Sequence, residues 1–205
     1  MAVQPIPTNN RGIFDFRAKL DGGGVRPNLF EVELEWPSEA IPTGVTDKLL
    51  ADQGRFLCKA AAMPASNIAP IEVPFRGRIL KVAGDRTFDT WTVTIINDTD
   101  MALRGAFERW MNLINKVSNN AGRVNPAEYQ TIAKVHQLGR ANVSGKNLAS
   151  EANIPILRSY EFQGVFPTNV SQVDLSYEST DTIEEFTVEL QVQYWTATGN
   201  GGAVA

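Results

Sequence analysis

The sequence predicts a mainly β fold with one long α-helix, of β-barrel or sandwich type, and three observations carry that reading. Several segments, LFEVELEW at 29–36 and EFTVELQVQYW at 185–195 above all, alternate apolar and polar residues strictly. A period of two belongs to a strand with one dry and one wet face. One stretch only, 99–118, carries a sustained helical stripe: Leu103, Phe107, Trp110, Ile114 and Val117 recur at intervals of four and three. Finally, 205 residues with 43% hydrophobic and 20% charged content suffice for one domain with a real core and exclude global disorder.

Taken in order, residues 1–24 are rich in Pro and Gly, end in Asp21-Gly22-Gly23-Gly24 and read as a flexible arm, with Ile13, Phe14 and Phe16 apolar enough to dock on a partner. The domain proper is expected over 25–196. In its first strand Phe30, Val32, Leu34 and Trp36 share one face and Glu31, Glu33 and Glu35 the other. Pro37 stops it, and 37–53 is expected as a long loop with at most a helical turn at 47–51. RFLCKAAAM at 55–63 is expected as a second strand, and IEVPFRGRILKVA at 71–83 as a third, with Pro74 and Gly77 at a bulge or edge. The next strand sets Trp91, Val93 and Ile95 against Thr90, Thr92, Thr94 and Ile96. Asn97, Asp98, Thr99 and Asp100 then supply acceptors and negative charge for a helix start.

After the helix, 119–128 and 139–153 read as loops around a strand at 129–138, chosen on Thr131, Ile132 and Val135. IPILRSYEFQGVF at 154–166 is a strand and Pro167-Thr168-Asn169 a turn. VSQVDLSY at 170–177 sets Val173, Leu175 and Tyr177 against Asp174 and Ser176. The last strand sets Phe186, Val188, Leu190, Val192 and Tyr194 against Thr187, Glu189, Gln191 and Gln193. Residues 197–205 form a loose Gly/Ala tail. Strands with one wet face allow two outcomes. A monomer closes them into a barrel, or sister molecules continue the sheet so that polar faces line a water-filled channel.

Charge and chemistry exclude several classes. A net charge of −4 is the wrong sign for gripping nucleic acid. Cys58 is the single cysteine and cannot form an internal disulfide. No stretch has the uninterrupted apolar length of a membrane span, and the first residues lack a secretion signal, so no membrane anchoring is expected. His136 lacks a neighbouring nucleophile in the sequence, and Asn97-Asp98-Thr99-Asp100 lacks the spacing of a calcium loop. Gly22-Gly23-Gly24 is not followed by a phosphate-binding lysine. No catalytic residue, metal site or cofactor is expected. The acidic row Glu31, Glu33, Glu35 reads equally as a solvated strand face or as a wall that repels polyanions.

A set of segments nonetheless carries a resemblance. VRPNLFEVELEW at 25–36, VAGDRTFDTWTVTIIND at 82–98, FERWMN at 107–112, PAEYQTIAKVHQLGR at 126–140, GVFPTNVSQVDLSYEST at 164–180 and EEFTVELQVQYW at 184–195 resemble, in order, the tail tube family of contractile-tailed bacteriophages. The resemblance implies a β-barrel-like fold completed by neighbouring subunits, related to the tube protein of type VI secretion. It also implies stacked hexameric rings forming the inner tube of the tail, made in the host bacterial cytoplasm and located in the virion. The implied partners are further copies of the chain, the tail sheath protein, the tape-measure protein, baseplate and tube-terminating proteins, and transported DNA bound without sequence preference.

On that reading, Glu31, Glu33, Glu35, Asp174, Glu189 and Gln191 are candidates to face the lumen. Phe186, Val188, Leu190, Val192, Tyr194, Val173 and Leu175 are candidates for the inter-subunit sheet. Leu103, Phe107, Trp110 and Ile114 pack the helix, and Arg104, Glu108 and Lys116 are candidates to face the sheath. The loop at 37–53 is longer than the family connection. The rival readings are a tube-initiating protein at the baseplate junction and, from another class, a monomeric ligand-binding β-barrel.

Overall fold

The computed structural model describes residues 12–20, 24–140 and 154–204. The expectations for 1–11, 21–23 and 141–153 lie outside the described residues.

The fold is mainly β, and its strands form two facing walls that share one long strand. The first wall joins β1 (Phe30–Leu34), β6 (Thr131–Leu138), the first half of β7 (Ile156–Val170) and β9 (Tyr194–Gly199). The second joins the last part of β7 with β8 (Glu185–Gln191), β5 (Trp91–Ile96) and β2 (Cys58–Ala61). All of these pairings are antiparallel. The ladder runs β1-β6-β7-β8-β5-β2, with β9 beside β7, and it stays open: β1 and β2 end it without bonding each other. Of the two outcomes the sequence allowed, the single chain does not close a barrel; its walls form an open sandwich.

The strand β7 passes from wall to wall at Gly164. This residue sits at φ 65, and a Cβ there would lie 2.5 Å from the Gln193 side chain. Only glycine combines that backbone angle with that approach. Pro167-Thr168-Asn169, expected as a turn, is a bulge within the same strand, since the register against β8 shifts between Pro167 and Asn169. The expected single strand 185–195 breaks instead. Val192 and Gln193 separate β8 from β9, which change walls.

Between the walls, Trp91 of β5 stacks on Phe162 of β7 with centroids 4.4 Å apart. The helix α3 (Ala102–Ile114) closes one side of this core. Its Leu103, Ala106, Phe107 and Trp110 are buried, and Trp36 meets Phe107 and Trp110 edge-on at 4.7 and 5.7 Å. The stripe read from the sequence thus holds through Trp110, with Ile114 half-buried. It ends there: Val117 is 91% exposed, and α3 is shorter than the expected 99–118. Asp98 accepts from the Ala102 N–H at 3.3 Å, while Met101 takes a left-handed conformation at the helix start.

Among the described residues there are three α-helices rather than one. α1 (Ile13–Lys19) lies in the expected arm, with Ile13, Phe14 and Phe16 exposed. α2 (Asp47–Leu57) replaces the end of the expected loop 37–53 and the start of the expected strand 55–63. Thr46 caps it by accepting from the Leu49 N–H. Leu50 and Gly54 face inward, with Gly54 beside Leu34 and Leu103.

The expected third strand is two. β3 (Ser66–Phe75) and β4 (Arg78–Phe88) form a separate hairpin that turns at Arg76 and Gly77, with φ 48 and 81. Gly77 is the hinge of a two-residue turn, not a bulge. Segment 171–177 is no strand, and its Leu175 and Tyr177 are exposed. Its pairing with β8 stops at Ser171, so alternation alone did not make it a strand.

Candidate assembly surfaces

The hairpin β3–β4 is the first surface. Cross-strand pairs Ile71–Val82, Val73–Leu80 and Phe75–Arg78 share one face; Pro70–Ala83, Glu72–Lys81 and Pro74–Ile79 share the other. Ile71, Val73, Phe75, Leu80 and Val82 are all large and exposed, with Phe75 at 66%. At the root the arm is held firmly. The indole N–H of Trp91 donates to the Ala62 carbonyl at 2.9 Å, that of Trp195 to Ala65 at 3.2 Å, and Asn67 donates to both carboxylate oxygens of Asp89 at 2.9 Å. An apolar face carried on a fixed arm, with nothing in its own chain to cover it, is the signature of a contact with another molecule.

The second surface is the outer face of the first wall. Register sets Glu33, Lys134, Glu161 and Thr196 in one row across four strands, and Glu31, His136, Ser159 and Thr198 in the next. The acids are matched by cations of the same chain. Arg55 reaches from α2 to Glu31 and Glu33, each at 2.5 Å. Lys134 stands 3.8 Å from Glu35 and 3.9 Å from Glu161. The acidic row of the sequence is thus a mosaic, still net acidic, because strand neighbours unseen by sequence spacing bring their own charges.

His136 is 9% exposed and bonds Ser159 at 2.7 Å through Nδ1, with Glu33 3.5 Å from Nε2. These residue types serve in hydrolases, but here they sit on three adjacent paired strands. His136 and Ser159 lie on central strands, so their own main-chain N–H groups belong to the ladder. Cys58 is likewise unsuited to chemistry, since burial pushes its thiol up to about 11. Among the described residues no three His, Cys, Asp or Glu gather as a metal site, and no helix is long and apolar enough to cross a membrane.

The structure divides the residues singled out for the lumen. Glu31, Glu33 and Glu35 lie on the outer face of the first wall. Glu189 and Gln191 lie on the second wall, and Asp174 is in the irregular segment that follows β7. One channel cannot be lined by all six in the same way. The residues singled out for an inter-subunit sheet divide too. Phe186, Val188, Leu190 and Val192 are buried in the core of their own chain, and Val173 packs against it. Their alternation marks a dry face, and the facing wall supplies the cover. Tyr194 and Leu175 remain exposed.

Of the helix residues, Glu108 and Lys116 are exposed, whereas Arg104 is engaged at home. Arg104 pairs with Glu108 at 3.0 Å, donates to the Ser171 carbonyl at 3.4 Å and lies over the Phe186 ring at 5.4 Å. Sequence reasoning missed the hairpin as a surface. The two-residue Arg76-Gly77 step between apolar runs was the available signal.

Comparison with known proteins shows the family. Residues 25–198 match the family model described as phage tail tube protein. The chain is 36% identical over 179 residues to the tail tube protein gp19 of Enterobacteria phage T4, covering 87% of this chain and 95% of that protein. It is 29% identical over 182 residues to the tail tube protein of Serratia phage KSP90, covering 86% and 92%. Among solved structures, the tube-terminating cap of the anti-feeding prophage superposes with a TM-score of 0.56 at 15% identity, covering 86% of this chain and 91% of the other. A chain of the PVC extracellular contractile injection system sheath–tube complex, in its extended state, superposes with a TM-score of 0.51 at 12% identity, covering 89% and 97%. These two share the fold. With the match spanning nearly the whole described domain, this chain belongs to the phage tail tube protein family.

Proposed function

We propose that this chain polymerises as stacked hexameric rings into the inner tube of a contractile phage tail, where it forms the conduit for DNA and the scaffold on which the sheath stands. The observation that carries the reading is the β3–β4 arm, whose apolar face is bare in the single chain. Burying such side chains contributes about 1.5–3 kcal/mol each, and a second copy offers that burial. In this reading the arm docks on a different patch of the next copy. Such heterologous contacts repeat into rings and stacks rather than closing a two-fold dimer. The rival ligand-binding barrel is disfavoured because Trp36, Trp91, Phe107, Trp110, Phe162 and Phe186 fill the space a ligand would need. Electron microscopy and sizing of the purified protein test the proposal. Hexamers or hollow tubes are expected, and compact single copies under all conditions would refute it.

Within the tube, the outer face of the first wall lines the channel. Its rims, β1 and β9, are longer than β2, the four-residue rim of the second wall, so the first wall is the better one to continue from subunit to subunit. A net acidic lining with its cations already paired keeps DNA from adhering, since adhesion depends on free cationic contacts. Glu35→Lys together with Glu161→Lys should leave tubes intact and slow genome release. Unchanged ejection kinetics would count against this lining. Glu108 and Lys116, exposed on and after α3, face the sheath. The tape-measure protein occupies the channel during assembly, and baseplate and terminating proteins hold the two ends.

A further inference from the structure

The first wall's two rims are unlike. The β1 rim is crossed by α2, with Arg55 clasped to Glu31 and Glu33. On β9 the outward main-chain groups belong to Trp195, Ala197 and Gly199, because alternate residues of an edge strand point away from the ladder. Here the chain covers its own edge. After Gly199, at φ 112, the backbone turns back through Gly201 and Gly202, at φ 90 and 84. Gly202 donates to the Gly199 carbonyl at 3.2 Å. Val204 then exchanges two main-chain bonds with Ala197, each 2.8 Å long. Arg158 pins the return by donating to the Asn200 carbonyl at 2.5 Å.

From this geometry we infer that residues 200–204 are a built-in edge cover, which an edge strand of a second copy displaces from β9 when the first wall is continued between subunits. This rests on the tube reading above. Two features fit a replaceable cover. The return makes a single bridge, at the middle of the rim, so it blocks continued pairing while committing only two ladder bonds. Residues 200–204 are exposed throughout and belong to no part of the core, so their release opens no cavity. An incoming strand satisfies the same Ala197 groups and adds those of Trp195, so exchange replaces bonds rather than losing them. The cover keeps lone subunits from pairing edge to edge at random. It also makes strand addition depend on contacts elsewhere, such as the hairpin arm.

The test compares the full chain with Val204→Pro, which lacks the donating N–H, and with a variant ending at Gly199. In unassembled wild type the Ala197 amide, which donates to the Val204 carbonyl, is expected to be protected from hydrogen exchange, to exchange freely in the variant ending at Gly199, and to exchange faster than wild type in Val204→Pro, which keeps that acceptor but loses the return bond. Both variants should form tubes of normal shape at lower protein concentration, about tenfold lower for the shortened variant, the scale of two weak main-chain bonds, and about threefold lower for Val204→Pro, the scale of one. Rapid exchange at Ala197 in the wild type overturns the inference, as does assembly of the variants at the wild-type concentration or above it. In those cases wild-type tubes still stand, and only the edge cover fails. If neither the wild type nor the variants form rings, the tube reading fails and this inference with it. If the shortened variant does not fold, Val204→Pro decides alone.

Discussion

Replacing Val73 with glutamate and Leu80 with lysine is expected to leave a folded subunit that no longer forms tubes. The two residues are a cross-strand pair on the bare face of the arm, 45% and 61% exposed. Neither side chain supports the core, so no cavity results. The new pair copies Glu72–Lys81, which already stands at the next rung of the same hairpin. Opposite charges on directly paired positions keep the arm itself stable. The loss falls on the contact with the next subunit. Two large side chains that would be buried there become charged, a change of roughly 3–6 kcal/mol per contact. Repeated around a ring, that is enough to remove polymerisation at ordinary concentrations. Thermal unfolding at the wild-type temperature, with single subunits by sizing and no tubes by microscopy, is the expected result. Normal tubes would show that the arm does not join subunits.

Trp110→Ala is expected to do the reverse and act on the fold. Trp110 is fully buried, stands against Trp36 and Phe107, and donates its indole N–H to the Tyr129 carbonyl at 2.7 Å. Removing it leaves a cavity between α3 and the walls and takes the indole donor from the Tyr129 carbonyl. The cost is about 3–5 kcal/mol, a large share of the stability of a domain this size. Denaturant unfolding of the unassembled protein measures it. A midpoint shift worth less than about 1 kcal/mol would mean that α3 is not the support of this core. The contrast with the arm matters for Val188 and Leu190. Aspartate at either would also abolish tubes, but by charging the core of the subunit, since both are fully buried within it. Loss of tubes alone cannot identify an interface, and stability of the single subunit has to be measured beside it.

Much of this was legible in the residues. The period-two runs at Phe30–Leu34, Trp91–Ile96 and Glu185–Gln191 became β1, β5 and β8, and the stripe of Leu103, Phe107 and Trp110 became the buried side of α3. Where the reading slipped, a local pattern had two meanings. Gly77 within an alternating run reads as a bulge or a sheet edge, and only the pairing of β3 with β4 made it a reversal. Arg55, Phe56 and Leu57 are tolerable in a strand, yet the Thr46 cap and the burial of Leu50 and Gly54 made them the end of a helix. Segment 171–177 alternates as well as β1 does, but its pairing with β8 stops after the Ser171 N–H bonds the Thr187 carbonyl.

The sequence by itself determined which side of each strand is dry, because side-chain alternation is a property of the extended backbone and needs no neighbour. The tertiary structure decided who covers each dry side. Val188 and Ile71 are both apolar members of alternating runs, yet one faces the opposite wall of its own subunit and the other faces nothing. Burial depends on which elements meet in space, and contacts between distant segments leave no period in the sequence.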